Sequence, residues 1–263
     1  MTEFTTLNFE RLDAFARITL NRPDAANGMN MAMGRELRAV AAQCKNDSDI
    51  RAVIITGAGK MFSAGGDLKA FAAYGDEIGA AILELANHLH AAIEDFSGLK
   101  APVITAINGM AAGAGFSLAV CSDIALCAAS AKFTMAYTAA GLSPDGGASY
   151  FLPRLIGLRL TQELMLCNRR LSAEEALQYG LVTRVIDDEH LQEEALSLAR
   201  QLANGPTRAF GAVKQLLRDS HDNNLHHQLA DEAESISRLS TSHDGQEGIQ
   251  AFLEKRKAVY KGQ

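Results

Sequence analysis

A chain of 263 residues, 48% hydrophobic and 21% charged, is long enough for one large folded domain and has a globular rather than a disordered or fibrous composition. Its formal net charge of −6 excludes general nucleic-acid binding and attraction to an anionic membrane surface. It leaves room for a polyanionic ligand held by a few local Lys or Arg side chains.

The first segment, MTEFTTLNFERLDAF, lacks the basic and apolar regions of a signal peptide, so a cytoplasmic protein is expected. AFARITL (14–20) alternates as a strand, and NRPDAANG follows as a loop. Asn30 stands where it can cap a helix over 31–45, with Met33, Leu37 and Val40 on one face. AVIITG (52–57) reads as a fully buried strand ending in glycine, AGKMFSAGGDL as a glycine-rich loop, and 77–96 as a helix. PVITAI (102–107) is the next buried strand, and NGMAAGAG is a second glycine loop entering a helix of small residues. DIALCA (123–128) is a third buried strand.

Between Pro102 and Ala131 the only charge is Asp123, a length that suits a membrane span. Asn108, Gly109, Gly113, Gly115 and Ser122 interrupt it, so buried strands flanking a buried helix describe it better, and no membrane partner is expected. After 181–186 the pattern is helical to the end, Pro206 opening one helix and Asp244–Gly245 the last. The expected class is α/β with a mainly parallel sheet, with a core over 1–200 and a C-terminal helical region over 201–263. Cys44, Cys121, Cys127 and Cys167 show neither CxxC nor zinc-ligand spacing and read as reduced thiols; no metal site is expected.

The glycine loops admit three chemistries. TGAGK (56–60) looks like part of a phosphate-binding loop, but Met61 stands where Ser or Thr belongs and the spacing fails. GFSLA (115–119) approaches a nucleophile elbow around Ser117; the plainer reading makes Ser117 a small residue in a packed helix. Finally, Gly65–Gly66 and Gly113–Ala114–Gly115 each follow a strand. Two main-chain N–H groups converging there on one carbonyl would form an oxyanion hole. Turns and close packing would use the same glycines, and spacing leaves the two readings open.

At this point the chain resembles the crotonase superfamily, the enoyl-CoA hydratases and isomerases. The resemblance is carried by LNRPDAANGMN, FSAGGDLK, APVITAINGMAAGAGFSLAVCSDIALCAASAKF, GLSPDGGASYFLPRLIG, LSAEEALQYGLVTRVI and GIQAFLEKRKAVYKG, in that order and over nearly the whole length. It implies a spiral of ββα units with a C-terminal helical trimerisation region, acyl-CoA thioesters as substrates, and trimers or hexamers built as dimers of trimers. It implies no cofactor, coenzyme A being part of the substrate. Mapped onto this sequence, the oxyanion donors are the amides of Gly66 and Ala114. CoA and substrate contacts fall to Arg22, Ala25, Ala64, Asp67, Leu68, Phe252 and Lys255, with Arg22 and Lys255 supplying local positive charge.

Hydratases of this family use two glutamates, and the matching positions here are Ser117 and Tyr137. Without paired carboxylates, water has no obvious activator. Asp145 in SPDGG remains. It matches the single Asp of isomerase branches, which moves a proton between carbons of an enoyl thioester. The same position is a nucleophile in the 4-chlorobenzoyl-CoA dehalogenase branch, where His90 would activate water and Tyr137 would hydrogen-bond the Asp. A non-catalytic CoA-ester-binding or scaffold protein is a third reading. By local pattern alone Asp145 reads as a helix N-cap, His90 as structural and Tyr137 as a packed aromatic.

Overall fold

In the computed structural model, which describes residues 4–263, two sheets share one core. The large sheet starts with an antiparallel hairpin, β1 (Leu7–Leu12) and β2 (Phe15–Leu20), turning at Asp13 with φ +54°. Helix α1 (Met31–Asn46) follows, capped as expected by the Asn30 side chain, which accepts from Met33 N–H at 3.0 Å. The chain then repeats one step. A buried strand of the large sheet, β3 (Val53–Gly57), is followed by a short strand of the second sheet, β4 (Met61–Ser63), and by helices α2 (Leu68–Ala72) and α3 (Ile78–Gly98). Next come β5 (Val103–Ile107), β6 (Met110–Ala112) and α4 (Ala114–Val120). The third turn is β7 (Ile124–Ala128), β8 (Lys132–Thr134), α5 (Ala148–Ile156) and α6 (Leu158–Cys167). A final stretch adds β9 (Leu171–Ser172), α7 (Ala173–Gln178), β10 (Arg184–Ile186) and α8 (Leu191–Ala203).

The large sheet has the order β1-β2-β3-β5-β7-β10 and the small one β4-β6-β8-β9. From β2 to β10 the large sheet is parallel. Every residue of β3 and β5 is buried, as parallel strands covered on both faces require. Helix α8 packs against β2, β3, β5 and β7.

The short strands β4, β6 and β8 lie inside stretches whose sequence reads as glycine loop or connection. Three residues carry no periodicity, and their pairing partners lie far away in sequence, so only tertiary structure creates them. Within 181–186, the segment before the helical region, only Arg184–Ile186 forms a strand, because Leu181 and Val182 sit buried in the turn that leaves α7. Beyond α8 follow α9 (Thr207–Asp219), α10 (Leu225–Ser240) and α11 (His243–Leu253). Pro206 stands at the start of α9 as expected, and α11 begins at His243, one residue before the expected Asp244, with Ser242 capping it by accepting from Gly245 N–H at 3.0 Å. Lys214 of α9 pins this region to the core: its Nζ lies 2.7 Å from Asp123 and donates to Ala101 O at 3.2 Å. Among the described residues no helix is long and apolar enough to cross a membrane.

Candidate active site

The ends of β4 and β6 carry the two glycine loops into contact. Gly65 has φ +91°, and a Cβ there would lie 2.7 Å from Ala112 O and 3.1 Å from Ala114 N. Only glycine permits this approach. Met29 N–H donates to Gly65 O at 2.7 Å and Asp67 N–H to Met29 O at 3.0 Å. Between these bonds the Gly66 N–H has no acceptor among the described residues. Gly113, at φ +49° and ψ −127°, turns the chain from β6 into α4. Ala114 is the first residue of that helix, so its N–H precedes the helical hydrogen-bond ladder and has no acceptor among the described residues. Gly66 and Ala114 line one cavity of about 250 Å³. A carbonyl oxygen lodged between such donors is stabilised at an anionic transition state by ~2.7–4 kcal/mol per donor.

Asp145 lines the same cavity from the loop before α5. The local expectation of a helix cap does not hold. Gly147 occupies the N-cap position without any side-chain bond, and the Ala148 amide meets Asp145 through its main-chain oxygen at 3.3 Å. Gly146 and Gly147 both have positive φ, +60° and +75°, and this doubled turn leaves the carboxylate to other partners. The Tyr137 hydroxyl donates to Asp145 Oδ1. Ser117, wholly buried in α4, donates to Asp145 O at 2.8 Å and lies 3.2 Å from the Tyr137 hydroxyl. Burial, and then the neighbouring Asp145 charge, push the Tyr137 phenol well above its ordinary value, so it stays a protonated donor.

His90 reaches this loop from α3, so it is not a surface residue remote from the site. Its Nε2 accepts from Gly146 N–H at 3.1 Å and lies 3.7 Å from Asp145 Oδ2. Accepting that bond places the neutral ring's proton on Nδ1. The serine-nucleophile reading fails: the Ser117 hydroxyl meets main-chain oxygens and Tyr137, and no histidine.

The remaining expected residues divide. Ala64 and Leu68 line the cavity, Leu68 with 57% of its surface exposed at the rim. Ala25 closes a short turn over Pro23–Ala25 beside the loop, outside the lining. Arg22 donates to Gly28 O and to Asp67 Oδ2, the latter at 2.9 Å, while Asp67 also caps α2 through Ala70 N–H at 3.1 Å. The free positive charge expected at Arg22 is therefore largely neutralised within the loop, and Asp67 is a structural partner rather than part of the wall. Phe252 and Lys255 lie at and beyond the end of α11 and do not line this cavity; Phe252 is 84% exposed.

Sequence reasoning missed the apolar wall from α3, formed by Ile82, Leu85, Ala86 and Leu89. Their helical spacing was the available signal, but an amphipathic stripe does not distinguish core from cavity. The Tyr137–Asp145 bond is the one the dehalogenase branch implied; what was missed is that Ser117 extends it into a hydroxyl link joining three different segments. Among the described residues no cluster of three His, Cys, Asp or Glu side chains could hold a metal ion.

A spiral ββα core with two free amides and a carboxylate around one apolar cavity defines a crotonase-fold acyl-thioester enzyme. The chain belongs to the enoyl-CoA hydratase/isomerase family, whose model matches residues 10–263. It is 38% identical over 266 residues to the 1,2-epoxyphenylacetyl-CoA isomerase of Escherichia coli K12, covering 100% of both chains. It is likewise 38% identical over 259 residues to a probable enoyl-CoA hydratase of Rhodobacter capsulatus, covering 98% of this chain and 99% of that one. Among solved structures, an enoyl-CoA hydratase from Polaromonas superposes with a TM-score of 0.92 at 34% identity, over 97% of this chain and 99% of that one.

Proposed function

We propose that this enzyme is an isomerase that shifts a carbon–carbon double bond in an enoyl-CoA, with Asp145 carrying the proton. The observation that supports this most is that Asp145 is the single carboxylate among the residues lining the cavity that Gly66 and Ala114 share. One carboxylate can take a proton from a carbon and return it to another. It lacks a partner with which to position and ionise water for addition across the double bond.

In this mechanism the thioester oxygen of a 3-enoyl-CoA accepts from the Gly66 and Ala114 amides. The Asp145 carboxylate removes a proton from C2, and the electron pair moves into a dienolate whose charge rests on that oxygen. The resulting carboxylic acid returns the proton to C4, giving the 2-enoyl-CoA. No electron is lost and no water consumed, so no cofactor is needed. Tyr137 holds Oδ1 and leaves Oδ2, which has no donor within hydrogen-bond reach among the described residues, for the proton. The isomerase activity in the name of the E. coli relative is consistent with this reading.

The alternative, with Asp145 as nucleophile and His90 as base, asks more of the site. The lone pair of His90 Nε2 is engaged by Gly146 N–H, and the ring would have to give up that bond before activating water. A homotrimer or hexamer accords with the exposed apolar side chains of the last helices, among them Leu225, Ile236 and Phe252.

The test is turnover of 3-enoyl-CoA esters in deuterium oxide. Because one carboxyl returns to C4 the proton it took from C2, the product should carry less than one solvent deuterium at C4, and Asp145→Asn should lose on the order of 10²–10⁴ in kcat while still binding the ester. Undiminished turnover by Asp145→Asn would sink the proposal. Trapping an ester on Asp145 would replace it with the nucleophilic reading.

A further inference from the structure

Gly34 is the fourth residue of α1, buried, at a place where the sheet, the turns and the expected site give no reason for glycine. Glycine inside a helix is a net cost relative to alanine, so its presence there asks for a packing reason. The reason lies on α3. A Cβ built on Gly34 would stand 2.2 Å from Leu85 Cδ1, with Leu85 Cγ at 3.6 Å and His88 Cβ at 3.5 Å. One methyl of Leu85 thus occupies the space that any side chain at position 34 would take.

Leu85 is also a wall of the cavity that holds Gly66, Ala114 and Asp145. It is 7% exposed, packed against α1 on one side and bordering the cavity on the other. Its Cδ1 is the far end of a flexible side chain and can move by changing rotamer. The cavity is the open space beside it. A side chain at position 34 would therefore be accommodated by pushing Leu85 inward.

We infer that Gly34, which does not touch the cavity, sets its depth by drawing Leu85 back into α1, and so fixes the largest acyl group the enzyme accepts. The inference rests on the reading of this cavity as the acyl site. The class of acyl group follows from the lining. Leu68, Phe71, Ile82, Leu85, Leu89 and Leu142 are apolar, and among the described residues no cationic side chain joins them. The acyl group is then uncharged and apolar. A cavity of about 250 Å³ exceeds the ~150 Å³ that accommodates benzene, so a compact aryl or medium-length alkyl group fits.

The experiment is calorimetric binding of an unreactive ladder, from acetyl-CoA through saturated straight-chain esters to phenylacetyl-CoA, to the wild type, Gly34→Ala, Leu85→Ala and the double variant. In the wild type, affinity should rise with acyl size to a limit and then fall. Gly34→Ala should move that limit to a shorter chain and weaken the esters at the wild-type limit on the order of tenfold, leaving acetyl-CoA unchanged. Leu85→Ala should move the limit outward, and the double variant should recover at least the wild-type range. A folded Gly34→Ala with the wild-type profile would overturn the inference and leave the acyl site standing. If Gly34→Ala does not fold, an unchanged profile in Leu85→Ala overturns it instead. Wild-type affinity independent of the acyl group would remove the acyl-site reading and this inference together. A purely structural role for Gly34 would lower the melting temperature without moving the size limit.

Discussion

Replacing Gly113 with alanine separates the backbone geometry of the proposed oxyanion hole from its packing. Position 113 has φ +49° and ψ −127°, a region that an L side chain avoids. Space is not the obstacle. The nearest atoms to an added Cβ would be Gly65 Cα at 3.6 Å, Met135 O at 3.8 Å and Ala64 O at 4.0 Å, all ordinary contacts. The cost is conformational, ~1–3 kcal/mol for a residue held in such a region. The chain has two ways to meet it. If it keeps the conformation, unfolding free energy falls by that amount and kcat is retained. If it relaxes, the Ala114 N–H turns away from its neighbour Gly66, and kcat falls by ~10²–10³, the worth of one oxyanion donor. Urea unfolding and steady-state kinetics on the same preparations read both. Gly180→Ala is the control: φ is +76°, and among the described residues the only atom within 4 Å of an added Cβ is Leu155 O at 3.8 Å, away from the cavity. It should cost ~1–2 kcal/mol of stability and nothing in kcat. A Gly113→Ala enzyme unchanged in both stability and kcat would refute the claim that this strained glycine aims the donor.

Lys214→Met should destabilise the protein by about 3 kcal/mol, the low end for breaking a buried pair, because Asp123 stays partly exposed and keeps its bond from Val103 N–H at 2.7 Å. Burial already pushes the Asp123 carboxyl up and the Lys214 ammonium down, so Asp123→Asn added to Lys214→Met should recover part of the loss in thermal melting. Partial burial pushes the Glu36 carboxyl up, but bonds from the hydroxyls and amides of Thr6 and Thr5 outweigh it and hold the group below its ordinary value. Its folded pKa lies below the unfolded one, so its stabilisation is present above the unfolded value and lost as pH falls through the folded one. Glu36→Gln should therefore flatten the acid limb of a stability–pH curve, and an unchanged limb would contradict the sign. Burial pushes the thiols of Cys44, Cys121 and Cys127 up to about 12, whereas Cys167 is exposed. Ellman's reagent should label one thiol rapidly in the native protein and all four in urea.

The buried strands, the Asn30 cap and the two glycine loops were legible because each has a local cause. Apolar runs in parallel strands, an Asn before a helical stripe and glycines at sharp corners are properties of neighbouring residues. The family resemblance added the pairing of Gly66 with Ala114 and the choice of Asp145. It did not reveal that Arg22 is held by Asp67, or that Phe252 and Lys255 lie outside this chain's cavity lining, because both depend on how separated segments meet.

Asp145 shows the division most clearly. Its neighbours, a proline and two glycines, write a turn before a helix, and that much came from local sequence. Whether the carboxylate caps the helix or faces a cavity depends on Tyr137, Ser117 and His90, which arrive from other segments. Sequence by itself determined which backbone stretches are buried, where the chain must bend and which single acid stands at the bend. Tertiary structure alone decided which hydroxyls and imidazole come to that turn and which amides share its cavity, because a hydrogen bond is set by distance in space and the bonded pairs Tyr137–Asp145, Ser117–Asp145 and His90–Gly146 lie 8, 28 and 56 positions apart.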